Sequence, residues 1–303
     1  MLALGGCAVQ THALRDNPPS DLSRQAELAA TPFFAQTQYQ CGPAALATVL
    51  ESAGLPADPV ELAEQVFLPA RTGTLQIEMI AGARRQGAVA TRVPASLEAL
   101  LREVRAGHPV VVLQNLGLSW APLWHYAVLV GYDIDAAQVI LRSGTTRRAV
   151  MAMRTFEHTW QRSGGWAFVA LPPGGWPASA REIDVVEASV GFERVASPPD
   201  AVAVYRSALA RFGDNLTLAM GLGNSLHRSG DKRGAADAFK AAALKHRSAP
   251  AWINLASTLL ELGRRDEALL AARQAQAVGD TAWQVQTEAV LQQALQALAA
   301  AAR

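Results

Sequence analysis

One interior cysteine, Cys41, stands immediately before Gly42-Pro43 and the run Ala44-Ala45-Leu46-Ala47-Thr48-Val49-Leu50. Proline is tolerated in a first helical turn, where its missing N–H would be an orphan anyway, and the residues after it carry helix propensity or apolar bulk. Cys41 is therefore expected at a helix N-terminus. Unpaired N–H groups and the positive end of the macrodipole favour an anion there, which would lower the thiol pKa towards the thiolate. The chemistry this allows is attack by sulfur on an acyl carbon. A free cysteine is more often a small buried hydrophobe. The helix start, the amides of Gln36, Gln38 and Gln40 just upstream, and a His-bearing segment, His125-Tyr126-Ala127-Val128-Leu129-Val130-Gly131-Tyr132-Asp133, together favour a nucleophile.

Helices and then strands must position these groups. Asp58-Pro59-Val60-Glu61 has an N-cap, a first-turn proline and a Glu three residues after the cap, which predicts a helix to about Phe67. Thr74 is expected to open a second, through Ile77, Ile80 and Ala81, and Ser96 a third, through Leu97, Leu100, Leu101 and Val104 to Gly107. From Pro109 the period changes to short β-branched or aromatic runs: Pro109 to Leu113, Tyr126 to Tyr132, Val139 to Leu141, Ala149 to Met151, and Trp166 to Leu171. A helical half followed by antiparallel strands is an α+β domain. With period two, His125, Ala127, Leu129, Gly131 and Asp133 are expected on one face.

The pattern Gln-x4-Cys-Gly-Pro-Ala-Ala-Leu at residues 36–46, followed by the His125 strand, resembles the bacteriocin-processing, double-glycine type of papain-like cysteine peptidase. It is most similar to stand-alone lipoprotein members with a tetratricopeptide tail. The resemblance covers about residues 31–171 and implies a helix-borne Cys facing a strand-borne His. It makes Cys41 the nucleophile, His125 the general base and Gln36 the oxyanion-hole donor. The usual family spacing places the Gln one residue further from the Cys, so Gln36 is the nearest match and Gln38 a weaker rival. Where the family shows an Asp-Pro pair after the His strand, this chain reads Leu141-Arg142-Ser143-Gly144, and Ser143 takes the place of the Asp. A hydroxyl can orient an imidazole but cannot stabilise imidazolium as a carboxylate does. Three outcomes stay open: a dyad, a carboxylate supplied by Asp133 or Asp135, or lost activity. His108 is the rival base but reads as a turn residue, and His158 falls in a short helix. No His/Cys/Asp/Glu spacing suggests zinc, and no cofactor is implied.

Leu4-Gly5-Gly6-Cys7 resembles a lipobox, in which the acylated Cys7 becomes the first mature residue. The basic n-region and most of the apolar h-region of a secretory signal do not precede it, so the chain as written is expected to start late. Thr11 to Ala30, with Asn17-Pro18-Pro19-Ser20, reads as a polar tether. The implied location is the periplasmic face of a bacterial membrane, held by a lipid.

Leu171-Pro172-Pro173-Gly174-Gly175-Trp176-Pro177-Ala178 is a breaker cluster and the expected domain boundary. Beyond it, Leu222-Gly223-Asn224 and Leu255-Ala256-Ser257 recur 33 residues apart, as do Gly230 and Gly263, and Ala235 and Ala268. This resembles the paired helices of a tetratricopeptide repeat. Ala201 to Leu209 fits a helix of an earlier degenerate unit, and Trp283 to Ala300 a terminal capping helix. The expected organisation is a signal remnant and tether at 1–30, a papain-like α+β domain at 31–171, a linker at 172–180, and an all-α helical solenoid at 181–303.

Lys plus Arg number 27 against 26 Asp plus Glu, so no charge field argues for nucleic acid. Expected partners are a peptide or protein substrate, a protein held by the repeats, and a membrane through the lipid. Two functional classes compete: a lipid-anchored cysteine peptidase acting through a Cys41 thioester, and a non-catalytic pseudo-peptidase that binds peptides or proteins. Amidase or transamidase chemistry is a third outcome open to papain-like folds.

Overall fold

Strands buried on both faces determine the layout of the N-terminal half. The computed structural model describes residues 8–35, 40–71 and 73–301, and it divides into two units, Met1–Val195 and Ala196–Arg303. Cys7, Gln36 and Gln38 lie outside the described residues. The first unit runs α1 (Val9–Asp16), β1 (Gln25–Glu27), α2 (Cys41–Ser52), α3 (Pro59–Val66), α4 (Gln76–Arg85), β2 (Val89–Arg92) and α5 (Leu97–Arg105). It continues with β3 (Val110–Asn115), β4 (Trp124–Asp133), β5 (Gln138–Ser143), β6 (Thr146–Ala152), α6 (Met153–Gln161), β7 (Ala167–Leu171) and α7 (Glu182–Glu193). The strands form one antiparallel sheet in the order β2-β7-β3-β4-β5-β6, with β1 pairing β4 near its C-terminal end. The class is α+β, as expected, although β1 lies within the stretch read as a tether and β2 within the one read as helical.

Helices cover both sheet faces, which is why Val110 to Leu113 is continuously apolar rather than alternating. On one side Val111, Tyr126, Val128 and Phe168 pack with Leu46, Val49, Leu50, Leu62 and Met79 of α2, α3 and α4. On the other, Val110, Val112, Ala127, Leu129 and Val169 meet Leu97, Leu100, Leu101, Phe156 and Trp160 of α5 and α6. Burying each large apolar side chain contributes roughly 1.5–3 kcal/mol. The expectation of one face from His125 to Asp133 fails midway. A bulge between Leu129 and Gly131 resets the register, so that Gly131 faces Ile140 of the α2 core and Tyr132 turns into the α5/α6 core.

Local signals account for the helix starts. Asp58 caps α3 by accepting from Val60 N at 2.7 Å, and Ser96 caps α5 by accepting from Ala99 N. The helix expected from Thr74 begins two residues later, at Gln76.

Two boundaries move. Thr11 to Ala30 is no tether: Leu14 and Leu22 are buried in the α5/α6 core. The buried Glu157 carboxylate accepts from Gln10 N, Thr11 N and Thr11 Oγ1 at the start of α1. The first N–H groups of a helix have no intrahelical partner, and the carboxylate answers two of them and the dipole. The cluster at 172–180 is no linker either. Glu103 of α5 accepts from the backbone N–H groups of Ala178 and Ser179, α7 packs on β2, and the unit ends at Val195. Proline and glycine there mark a turn held inside the domain.

The second unit is all-α: α8 (Pro198–Arg211), α9 (Leu216–Arg228), α10 (Lys232–His246), α11 (Ala249–Glu261), α12 (Arg265–Val278) and α13 (Gln284–Ala301). Each helix packs on the next, giving a solenoid-like succession. Ser197, Asn215, Asp231 and Ser248 cap α8 to α11 with their side chains. The small residues at recurrent places have steric reasons. A Cβ at Gly223 would lie 2.3 Å from the Phe239 ring, and one at Gly221 would lie 2.2 Å from the Tyr205 ring. Ala235 and Ala268 are both fully buried.

Candidate active site

Cys41 is the first residue of α2, with Gln40 at the N-cap and the first helical bond running from Ala44 N to Gln40 O at 3.2 Å. Gly42 lets the helix start pack closely: a Cβ there would sit 2.6 Å from Thr74 Oγ1. Thr74 O in turn accepts from the Tyr126 hydroxyl at 3.1 Å, so α2, the segment before α4, and β4 are locked at one point. Tyr126 is also packed edge-on against Trp166 at 5.7 Å between ring centroids, and Arg92 lies over the other ring of that pair at 5.2 Å.

The Cys41 sulfur lies against the backbone of Tyr126, the residue that follows His125. The N–H groups of Tyr126, Gly42 and Cys41 itself point at it and favour the thiolate. Burial is the larger influence and pushes the thiol above its ordinary range. The lowered thiol pKa expected from the helix N-terminus is thus corrected: desolvation of a mostly buried sulfur outweighs the amides. Burial also lowers the His125 pKa, and it raises that of Tyr126 together with the nearby thiol. At rest the site favours a neutral thiol and a neutral imidazole.

His125 is the second residue of β4. Opposite it on β3, buried Gln114 donates to Thr159 Oγ1 at 2.7 Å. Its own Nε2 lies 2.8 Å from Ser143 Oγ at the end of β5. In the tautomer that carries its proton on Nε2, Ser143 accepts and Nδ1 is left as the basic nitrogen. The structure therefore brings His125 and Ser143 together, and sets Cys41 against the backbone one residue away from His125. Asp133 and Asp135 are engaged elsewhere: Asp133 accepts from Ala136 N in the β4–β5 turn, and Asp135 pairs with Arg24. His108 Nδ1 is bonded to the buried Glu103 at 2.9 Å.

Arg142 went unread in the sequence. Its buried guanidinium donates to the carbonyls of Leu28, Ala29 and Thr31, fixing the segment that leads towards Cys41, and to that of Arg147. A buried arginine beside the residue taken as the third member was the available signal, since such a group must find carbonyls or carboxylates. Among the described residues no group of three or more His, Cys, Asp or Glu could hold a metal.

Three solved structures are similar to part of the chain. A C39-like peptidase from Bacillus anthracis has 20% identity and a TM-score of 0.42, covering 49% of this chain and 98% of its own. The peptidase domain of Streptococcus ComA, a bi-functional ABC transporter, has 22% identity and a TM-score of 0.40, covering 47% and 98%. A double glycine motif protease from an AMS/PCAT transporter, solved with its leader peptide, has 18% identity and a TM-score of 0.34, covering 46% and 91%. No curated protein matches the chain. Residues 28–168 match the model of the Peptidase_C39 like family, so the first unit carries a C39-peptidase-like α+β domain, to which the chain adds an all-helical region.

Proposed function

We propose that the first unit is a cysteine peptidase that cleaves a peptide or amide bond through a thioester on Cys41. The observation that carries this reading is the hydrogen bond between His125 Nε2 and Ser143 Oγ in a C39-peptidase-like domain whose Cys41 opens a helix against the backbone of Tyr126. In the reaction, Nδ1 of His125 takes the thiol proton as sulfur bonds to the substrate carbonyl carbon. The tetrahedral intermediate collapses, the C–N bond breaks, and the same proton passes to the leaving amine. Water then attacks the thioester, His125 takes its proton and returns it to sulfur, and the acid leaves. Backbone N–H groups at the start of α2 and the amide of Gln36 stabilise the oxyanion. Ser143 orients the imidazole.

Three further assignments complete the proposal. The helical unit is a tetratricopeptide-type repeat domain that holds a protein partner. Cys7 is acylated, and the protein works at the periplasmic face of a bacterial membrane. The test of the catalytic reading is isolation of a thioester: wild-type protein incubated with a candidate peptide and acid-quenched should carry the acyl group on Cys41 by mass spectrometry. Absence of adduct and of cleavage across a peptide library would sink it.

A second reading has its own support. Burial pushes the thiol up and the imidazole down, and a hydroxyl stands where the family has a carboxylate, a combination suited to a peptide-binding pseudo-peptidase. Peptide binding with equal affinity by wild type and Cys41→Ala, without turnover in either, would favour it.

A further inference from the structure

From Ala106 to Tyr132 the chain has no Asp, Glu, Lys or Arg, and the centre of this stretch is a hairpin that holds its apolar side chains in solvent. Past the end of the β3–β4 ladder, Leu116 N donates to Leu123 O at 2.8 Å, and Leu118 and Ala121 exchange bonds of 3.1 and 3.2 Å around Ser119-Trp120. Trp120 is 83% exposed, Leu123 62%, Leu118 53%, Trp124 51% and Leu116 42%. These five residues all fall between Leu116 and Trp124, at the end of one hairpin. Large exposed apolar patches mark a binding surface.

The tip is braced from within. Asn115, buried at its base, accepts from Gly117 N at 3.0 Å and Leu123 N at 2.9 Å and donates to Leu118 O. Arg162 donates to Gly117 O at 2.6 Å. A Cβ at Gly117 would lie 2.4 Å from Ala121 O, so only glycine permits this approach of the two arms. Hydrogen bonds, a buried amide and a required glycine hold the leucines and tryptophans outward, so their exposure is a property of the built hairpin.

We propose that this hairpin docks the protein on a lipid bilayer, with Trp120 and its leucine neighbours entering the headgroup and acyl boundary. Shape decides between a bilayer and a peptide. A peptide's apolar side chain needs a concavity lined on several sides. Here the apolar side chains are themselves exposed at the end of a hairpin, at and beyond the last pair of the ladder, which a deformable interface accepts. Chemistry agrees: the tip is uncharged, tryptophan is at home at the membrane interface, and Arg162 at the base supplies a cation at headgroup depth. The contact is interfacial, since among the described residues no helix is long and apolar enough to cross a membrane.

The test uses the full chain with Cys7→Ser, so that no acyl group contributes. Flotation with phosphatidylcholine vesicles, with and without about one-third phosphatidylglycerol, should carry the protein upward. The triple variant Leu118→Ser, Trp120→Ser, Leu123→Ser should bind at least roughly tenfold less while keeping its circular dichroism and its Cys41 labelling rate. Brominated lipid should quench the parent, and Trp120→Phe should lose most of that quenching. Equal flotation of parent and triple variant, or no flotation of either at millimolar lipid, overturns the proposal. So does a triple variant whose only defect is weakened binding of an apolar peptide, which would make the tip a peptide-docking surface.

Discussion

Ser143 Oγ stands 2.8 Å from Nε2 of His125, at the end of the strand next to the one that bears the imidazole. A neutral hydroxyl is thus the imidazole's side-chain partner, and what it can do differs from what a carboxylate can do. It fixes ring direction and supplies no charge to imidazolium.

Replacing Ser143 by Ala should therefore lower kcat/KM by about tenfold, an orientation effect, while Cys41→Ala and His125→Ala abolish turnover. Ser143→Asp should keep or raise it and move the acidic limb of the pH profile to higher pH, since a neighbouring anion raises an imidazole pKa. A profile in Ser143→Asp that matches the parent would show that residue 143 does not act on the base.

The sulfur's burial gives a second expectation. Iodoacetamide reacts with thiolate, so the labelling rate of Cys41 should rise along a curve whose midpoint lies above the ordinary thiol value of about 8.5. His125→Ala should leave that midpoint where it is. A plateau of labelling near pH 6 that vanishes in His125→Ala would instead reveal a thiolate–imidazolium pair.

Glu103 concerns stability. Burial pushes its carboxyl pKa up, but hydrogen bonds from His108, the Ser179 hydroxyl, and the N–H groups of Ser179 and Ala178 outweigh this and hold it below the ordinary carboxylate value. With the folded pKa below the unfolded one, the contribution is complete above the unfolded value near 4.5 and is lost as pH falls through the folded one. Glu103→Gln should cost about 1–3 kcal/mol at pH 7. It should also flatten the denaturant midpoint's dependence on pH below about 5. An unchanged dependence would place the acid sensitivity elsewhere.

Removing residues 8–30 should destabilise the first unit rather than merely free it. Leu14 and Leu22 leave the core, and Glu157 loses its partners at the start of α1. The two leucines alone are expected to cost about 3 kcal/mol or more, at roughly 1.5–3 kcal/mol for each buried side chain. Equal urea midpoints for the two forms would restore the tether.

What could be read in the sequence and what could not divide along physical lines. Cys41 at a helix start, the capped helices at Asp58 and Ser96, and the β3–β7 strands were legible because period, capping and propensity are local. The role of α1 was not, since Gln10 and Thr11 find their acceptor in Glu157, 147 and 146 residues away. The same holds for the 172–180 segment, where prolines and glycines read as a break until Glu103 of α5 supplies the acceptor. The pKa direction at Cys41 failed for a related reason: the helix N-terminus is visible in the sequence, while the burial that opposes it comes from the packing of α2 on the sheet. The bulge after Leu129 carried only one cue, Gly131, inside an otherwise regular strand.

Docking of α1 also sets a reach. A free segment from Thr11 to Ala30 would extend to about 70 Å, letting a body held at its far end sweep a deep volume above its point of attachment. Here Ala8 is already buried, so an acyl group on Cys7 would be a single peptide bond from packed structure. Such a leash would have no slack. On the proposed Cys7 anchor, such a body would patrol a plane instead of a volume, and the bonds within its reach would be those that come within a domain's thickness of the lipid.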